Sequence, residues 1–109
     1  MRLRNIAVDF DYTLVRGDKP IPGAKEAMQS LKDNGYVIYI HSCNNRQWIE
    51  RILNTHEIPY DYIWDSAHDI GKPICDWYVD DRAIGFRGDW KAVLEEIYGE
   101  DARAKALSE

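Results

Sequence analysis

Three short apolar runs in this chain each end in groups capable of chemistry, and helical patterns lie between them. The first, residues 6–15, reads Ile-Ala-Val-Asp-Phe-Asp-Tyr-Thr-Leu-Val, with carboxylates at Asp9 and Asp11 and a hydroxyl at Thr13. Side chains alternate along an extended segment, so Asp9 and Asp11 can point the same way from the strand's carboxyl edge. Two such charges repel by about 4 kcal/mol at ~4 Å when the effective dielectric is near ~20. A fold that keeps them together has a use for them, commonly a metal ion or acid–base work.

The second run, residues 36–42, reads Tyr-Val-Ile-Tyr-Ile-His-Ser and ends in the hydroxyl of Ser42. The third, residues 75–81, reads Cys-Asp-Trp-Tyr-Val-Asp-Asp and ends in a second carboxylate pair, Asp80 and Asp81. Lys72 precedes it in Gly71-Lys72-Pro73.

The spacing predicts strands over residues 3–9, 36–41 and 60–64, and a fourth leading to Asp80. Residues 10–21 contain Gly17-Asp18 and Pro20 and read as a loop or short hairpin. A helix follows, with Pro22 suited to its first turn, Ala24, Ala27, Met28 and Leu31 on one face, and Gly35 as its stop. A second helix is expected from about 45 to 55, capped by Asn44 or Asn45, with Trp48, Ile49, Ile52 and Leu53 inward. Asp89 is placed to cap a last helix carrying Val93, Leu94 and Ile97, and the tail after Gly99 can be helical or frayed.

Strands alternating with helices across short links predict an α/β fold: one doubly wound, Rossmann-like parallel sheet with helices on both faces. Right-handed crossovers gather the carboxyl ends on one edge, where ligands of open parallel sheets bind. Asp9, Ser42 and the Asp80–Asp81 pair all fall at such ends.

With 109 residues, the chain reads as a single domain, 1–109. Its 14 basic and 19 acidic residues leave a net charge of −5 and no basic stripe, which disfavours tight binding to a phosphate backbone. Nucleic acid is therefore expected only as a substrate. Cys43 and Cys75 are isolated and read as reduced thiols, and no apolar segment resembles a signal peptide or a membrane span, so a cytoplasmic location is expected. The four tryptophans read as core or rim packing, and His41, His56 and His68 show no metal-ligand spacing.

The ordered set of carboxylate pair, hydroxyl, lysine and carboxylate pair resembles the four motifs of the haloacid dehalogenase superfamily of phosphohydrolases. The resemblance spans residues 6 to 81. It implies Mg²⁺-dependent hydrolysis of phosphomonoesters, with Asp9 as the nucleophile that becomes an aspartyl phosphate and Asp11 as the acid and base. It implies further that Ser42 and Lys72 bind the phosphoryl oxygens. The metal would be held by Asp9, by Asp11 through its carbonyl, and by the second pair, with Asp81 favoured as direct ligand and Asp80 in support. Asn44 and Arg46 stand where substrate contacts are plausible, or begin a solvated helix.

Relatives with a cap domain insert it after the first or second motif. Here those gaps, Val15–Tyr36 and Cys43–Gly71, hold about one helix and a loop each, with one extra short strand in the second. The chain therefore resembles a capless member, similar in its Asp-Tyr-Thr form to the magnesium-dependent phosphatases. An open site suits a phosphorylated small molecule or macromolecular end, or completion by a partner subunit. Residues 12–21 are the expected flap.

Other readings fit less well. A cysteine phosphatase needs an arginine six residues after its cysteine, and Ile49 and Asp81 occupy those places. A PIN-like nuclease would not explain Ser42 and Lys72. An inactive relative that binds a phosphorylated partner stays open, as does an oligomer.

Overall fold

A computed structural model describes residues 4–65, 75–80 and 86–108. Lys72, Asp81, Arg82 and His68 lie outside the described residues. The elements follow the order β1 (Arg4–Asp9), β2 (Val15–Arg16), β3 (Lys19–Pro20), α1 (Ala24–Asp33), β4 (Tyr36–Ser42), α2 (Arg46–Thr55), β5 (Tyr62–Asp65), β6 (Trp77–Val79) and α3 (Trp90–Ser108). Four of the strands form one parallel sheet in the order β5-β4-β1-β6, flanked by helices. This is the Rossmann-like architecture that the alternation predicts. The chain moves outward from β1 to β4 and β5, then returns to the far side of β1. The strand order thus reverses at β1, where open α/β sheets place their ligands.

Alternation along β4 explains the core. Tyr36, Ile38, Ile40 and Ser42 are buried, while Val37, Tyr39 and His41 are half-buried. Ile38 and Ile40 pair in register with Ile6 and Val8 of β1, and Ile63 lies beside Ile40. One hydrophobic cluster joins this row to Met28 and Leu31 of α1, Ile49 and Leu53 of α2, and Val93 and Ile97 of α3. On the opposite row Tyr39 stacks on Tyr62, with ring centroids 5.0 Å apart.

Three boundaries differ from the sequence expectation. α1 starts at Ala24, and Pro22 lies in the turn before it. The Ala24 amide donates to the Ile21 carbonyl at 3.0 Å, closing a four-residue turn with proline second and glycine third. Gly23 has φ 87° and ψ −12°, the type II geometry that glycine tolerates best. β5 starts at Tyr62 because Asp61 is engaged elsewhere. Its carboxylate accepts from the Ile38 amide at 2.8 Å and pairs with Lys32, and its own amide donates to the Ile38 carbonyl. β6 shortens to three residues because Asp76 joins β1 through its side chain, accepting from the Asn5 amide at 3.0 Å.

α3 runs unbroken through Gly99, so the tail is helical. Asp89 caps it, accepting from the Ala92 amide at 3.3 Å. Asp101 then anchors its second half, taking hydrogen bonds from the Tyr36 hydroxyl and from Trp77 Nε1 at 3.3 Å, with Arg4 at 3.5 Å. α1 and α3 are bridged by Ser30 Oγ and the Tyr98 hydroxyl, 2.6 Å apart. No helix among the described residues is long and apolar enough to cross a membrane. Both cysteines are free.

Candidate active site at the carboxyl edge of the sheet

β1 ends at Asp9, and its half-buried carboxylate is oriented by its own chain: the Phe10 amide donates to Asp9 Oδ1 at 2.9 Å. Phe10 is fully buried and acts as a pivot. Its carbonyl accepts from the amides of Leu14 at 3.0 Å and Val15 at 3.3 Å, which coils residues 10–15 into a tight loop beyond the strand. Asp11 emerges from that loop and forms a bridge with Val15. Tyr12 follows at φ 61°, left-handed backbone that costs a non-glycine residue about 1–2 kcal/mol, and its ring is 78% exposed. The Tyr12 amide donates to the Val15 carbonyl at 2.8 Å and helps to hold that conformation.

The flap expected over residues 12–21 is a hairpin of β2 and β3 turned at Gly17, which has φ 64°. Its base is buried through Val15 and Ile21. Its tip is tied to the end of α2, where the His56 ring donates from Nε2 to the Asp18 carbonyl at 2.8 Å.

Ser42 ends β4 and is buried. Its hydroxyl oxygen accepts from the Asn44 amide at 3.0 Å, which leaves the hydroxyl proton free to donate. The helix cap is Asn45, whose side chain accepts from the Trp48 amide at 3.1 Å. Asn44 reaches the first motif, donating from Nδ2 to Asp11 Oδ2 at 3.3 Å. Arg46 is engaged along its own helix with Glu50 at 3.3 Å, an exposed pair worth only a few tenths of a kcal/mol.

Asp9 is in register with His41, one residue before Ser42. Asp80 immediately follows β6, whose last paired residue, Val79, lies beside Val8. Asp9, Ser42 and Asp80 therefore end three adjacent strands on one edge, and Asn44 brings Asp11 to the same place. Asp65 ends β5 in register with Ser42 and joins that edge through its backbone position. Sequence reading passed over it because only the pairing brings it to Ser42. Trp90 was also missed as a support: its indole is buried, and Nε1 donates to the Thr13 carbonyl at 2.9 Å.

The donors at this edge are hard carboxylate oxygens, which suit a small hard cation that keeps part of its water shell. Among the described residues no group of three or more His, Cys, Asp or Glu side chains forms a metal-binding cluster.

Two solved structures share this fold. A conserved protein from Bacteroides thetaiotaomicron is 22% identical, with a TM-score of 0.71 over 91% of this chain and 93% of that one. A structural-genomics target from Vibrio cholerae is 25% identical, with a TM-score of 0.54 over 74% of this chain and 82% of that one. A chain of a Pnkp1/Rnl/Hen1 complex overlaps 68% of this chain and 31% of its own length, with a TM-score of 0.44 and 22% identity. No protein-family model matches, and no curated protein matches.

Proposed function

We propose that the chain is a capless member of the haloacid dehalogenase superfamily and a Mg²⁺-dependent phosphomonoester hydrolase. The observation that carries this reading is the convergence of Asp9, Ser42 and Asp80 on adjacent strand ends, with Asp11 drawn in by Asn44. A turn-capping role for Asp9 and Asp11 would need none of these partners.

Asp9, the Asp11 carbonyl and one of Asp80 and Asp81 would hold Mg²⁺, which when bound neutralises charge on the phosphoryl group. Asp9 attacks phosphorus; an oxygen–phosphorus bond forms to the carboxylate as the bond to the leaving alkoxide breaks. The Phe10 amide on Oδ1 fixes the orientation of that carboxylate. Asp11 acts as the general acid and passes a proton to the alkoxide as it leaves. As a carboxylate it then takes a proton from water, whose oxygen displaces Asp9 and releases inorganic phosphate. Asn44 Nδ2 holds Asp11 over the site during both transfers. The Ser42 hydroxyl and Lys72 each hold a phosphoryl oxygen. With no inserted domain between Asp11 and α1, exclusion of water rests on the hairpin.

The test is phosphate release with Mg²⁺ across sugar phosphates, nucleotides, phosphopeptides and phosphorylated oligonucleotides. Turnover that Asp9→Asn abolishes supports the reading. No turnover, together with a beryllium fluoride complex that forms away from Asp9, favours an inactive binding module instead.

A further inference from the structure

Asn44 makes three hydrogen bonds that together leave its side chain one direction. Its backbone amide donates to Ser42 Oγ at 3.0 Å. Its Oδ1 accepts from the Asn45 amide at 2.7 Å. Asn45 is itself fixed as the cap of α2, with extended backbone and a side chain that accepts from the Trp48 amide at 3.1 Å. A flipped Asn44 carboxamide would set its NH₂ against the Asn45 N–H, donor against donor. Nδ2 is therefore the end offered to Asp11, and it donates to Oδ2 at 3.3 Å. Among the described residues this is the one side-chain hydrogen bond that Asp11 accepts.

A carboxylic acid has one carbonyl oxygen and one hydroxyl oxygen, and an N–H donor pairs with the carbonyl. Asn44 thus reserves Oδ2 as an acceptor and leaves Oδ1 as the oxygen that can carry a proton. The same bracket reaches the phosphoryl end of the site. Ser42, which anchors the Asn44 backbone, is the hydroxyl proposed to hold a phosphoryl oxygen. Residues 42–45, seated on the start of α2, therefore set the acid and the phosphoryl donor at a fixed separation. Small losses of such alignment cost rate steeply.

We propose that Asn44 is a positioning residue of the reaction, one that decides which oxygen of Asp11 delivers the proton. It holds Oδ2 and so presents Oδ1 to the leaving group. As the bond between phosphorus and the leaving oxygen breaks, the proton on Oδ1 passes to that oxygen, and the electron pair of the O–H bond stays on the carboxylate. Nδ2 keeps its hydrogen bond, now to a charged oxygen. The assignment rests on the phosphohydrolase reading and adds to it a residue outside the four motif positions.

The test varies the leaving group. Phenyl phosphate and p-nitrophenyl phosphate share a ring, but phenolate needs a proton on departure far more than p-nitrophenolate does. Both esters pass through the same aspartyl phosphate, so the ratio of their kcat/KM values isolates the step in which the leaving group departs. Asn44→Ala should lower kcat/KM for phenyl phosphate at least fivefold more than for p-nitrophenyl phosphate. Asn44→Asp keeps an acceptor for the Asn45 amide and removes the donor to Asp11, and it should bias the ratio the same way. Asn44 is exposed, so both variants should fold. Asp11→Asn should show a larger bias of the same sign, and Asn44→Ala added to it should change the ratio by less than about twofold. Equal losses on the two esters in the Asn44 variants would reduce Asn44 to a structural role and overturn the assignment. A bias that persists in full on the Asp11→Asn background would mean that Asn44 acts on the substrate without Asp11, and would also overturn it. Wild type that hydrolyses neither ester would sink the phosphohydrolase reading itself, and the assignment with it.

Discussion

The indole of Trp90 donates to the Thr13 carbonyl across 77 residues of sequence, so the first turn of α3 holds the loop that presents Asp11. Trp90→Phe keeps a ring in the core and removes the donor. A buried carbonyl left unpaired costs about 1–3 kcal/mol. Urea unfolding should report a loss of that size, and phosphatase activity should fall while the bulk fold persists.

Asp9→Asn keeps the shape of the proposed nucleophile and removes its charge. Turnover should fall by at least ~10³-fold. Thermal stability should hold or rise, because the repulsion with Asp11 is relieved. Near-normal turnover in this variant would rule out the covalent route.

Chelator should abolish activity and Mg²⁺ should restore it. Ion binding to the folded chain alone would add about 2.7 kcal/mol at 100 times its dissociation constant, visible as a rise in melting temperature. Asp9→Asn should shrink that rise. A melting temperature and turnover both indifferent to chelator would remove the metal from the site.

The Tyr36 hydroxyl is held well above its ordinary pKa, first by burial and then by its hydrogen bond to Asp101. The folded chain thus binds this proton more tightly than the unfolded chain does. Its contribution to stability is complete below the unfolded value of about 10 and is lost as pH rises beyond it. Urea midpoints between pH 8 and 11.5 should fall at the alkaline end for wild type, and less steeply for Tyr36→Phe.

Gly23→Ala tests the turn that launches α1. The added Cβ would meet Trp90 Cβ at 3.6 Å, an ordinary contact, so its cost is the backbone at φ 87°. A penalty of about 1–2 kcal/mol follows, or roughly 5–10 °C in melting temperature.

The strands and helices were legible because each is written locally. Ile38 and Ile40 alternate with half-buried neighbours, and Ala24, Ala27, Met28 and Leu31 recur at helical spacing. The place of Asp9 and Ser42 at strand ends was legible because an apolar run ending in a polar group marks a strand's carboxyl edge. What the sequence hid is what folding alone brings together. Asp101 serves Tyr36, Trp77 and Arg4 from a helix whose own pattern gives no hint of it. The shift of β5 to Tyr62 has a similar cause: Asp61 looks like an ordinary strand residue until its carboxylate is seen bracketing Ile38. The sequence offers Asn44 or Asn45 as the cap of α2; Asn45 takes that role and Asn44 turns to Asp11.

The strand bearing Asp9 is made early and supported late. Its partner β6 and the anchor Asp101 lie some 70 and 90 residues further along the chain. A ribosome adds roughly 5–20 residues each second. For several seconds, then, β1 can pair only with β4, and its other edge stays bare in the nascent chain. Asp80, which shares one edge with Asp9 in the finished molecule, thus joins that edge only once β6 has been made.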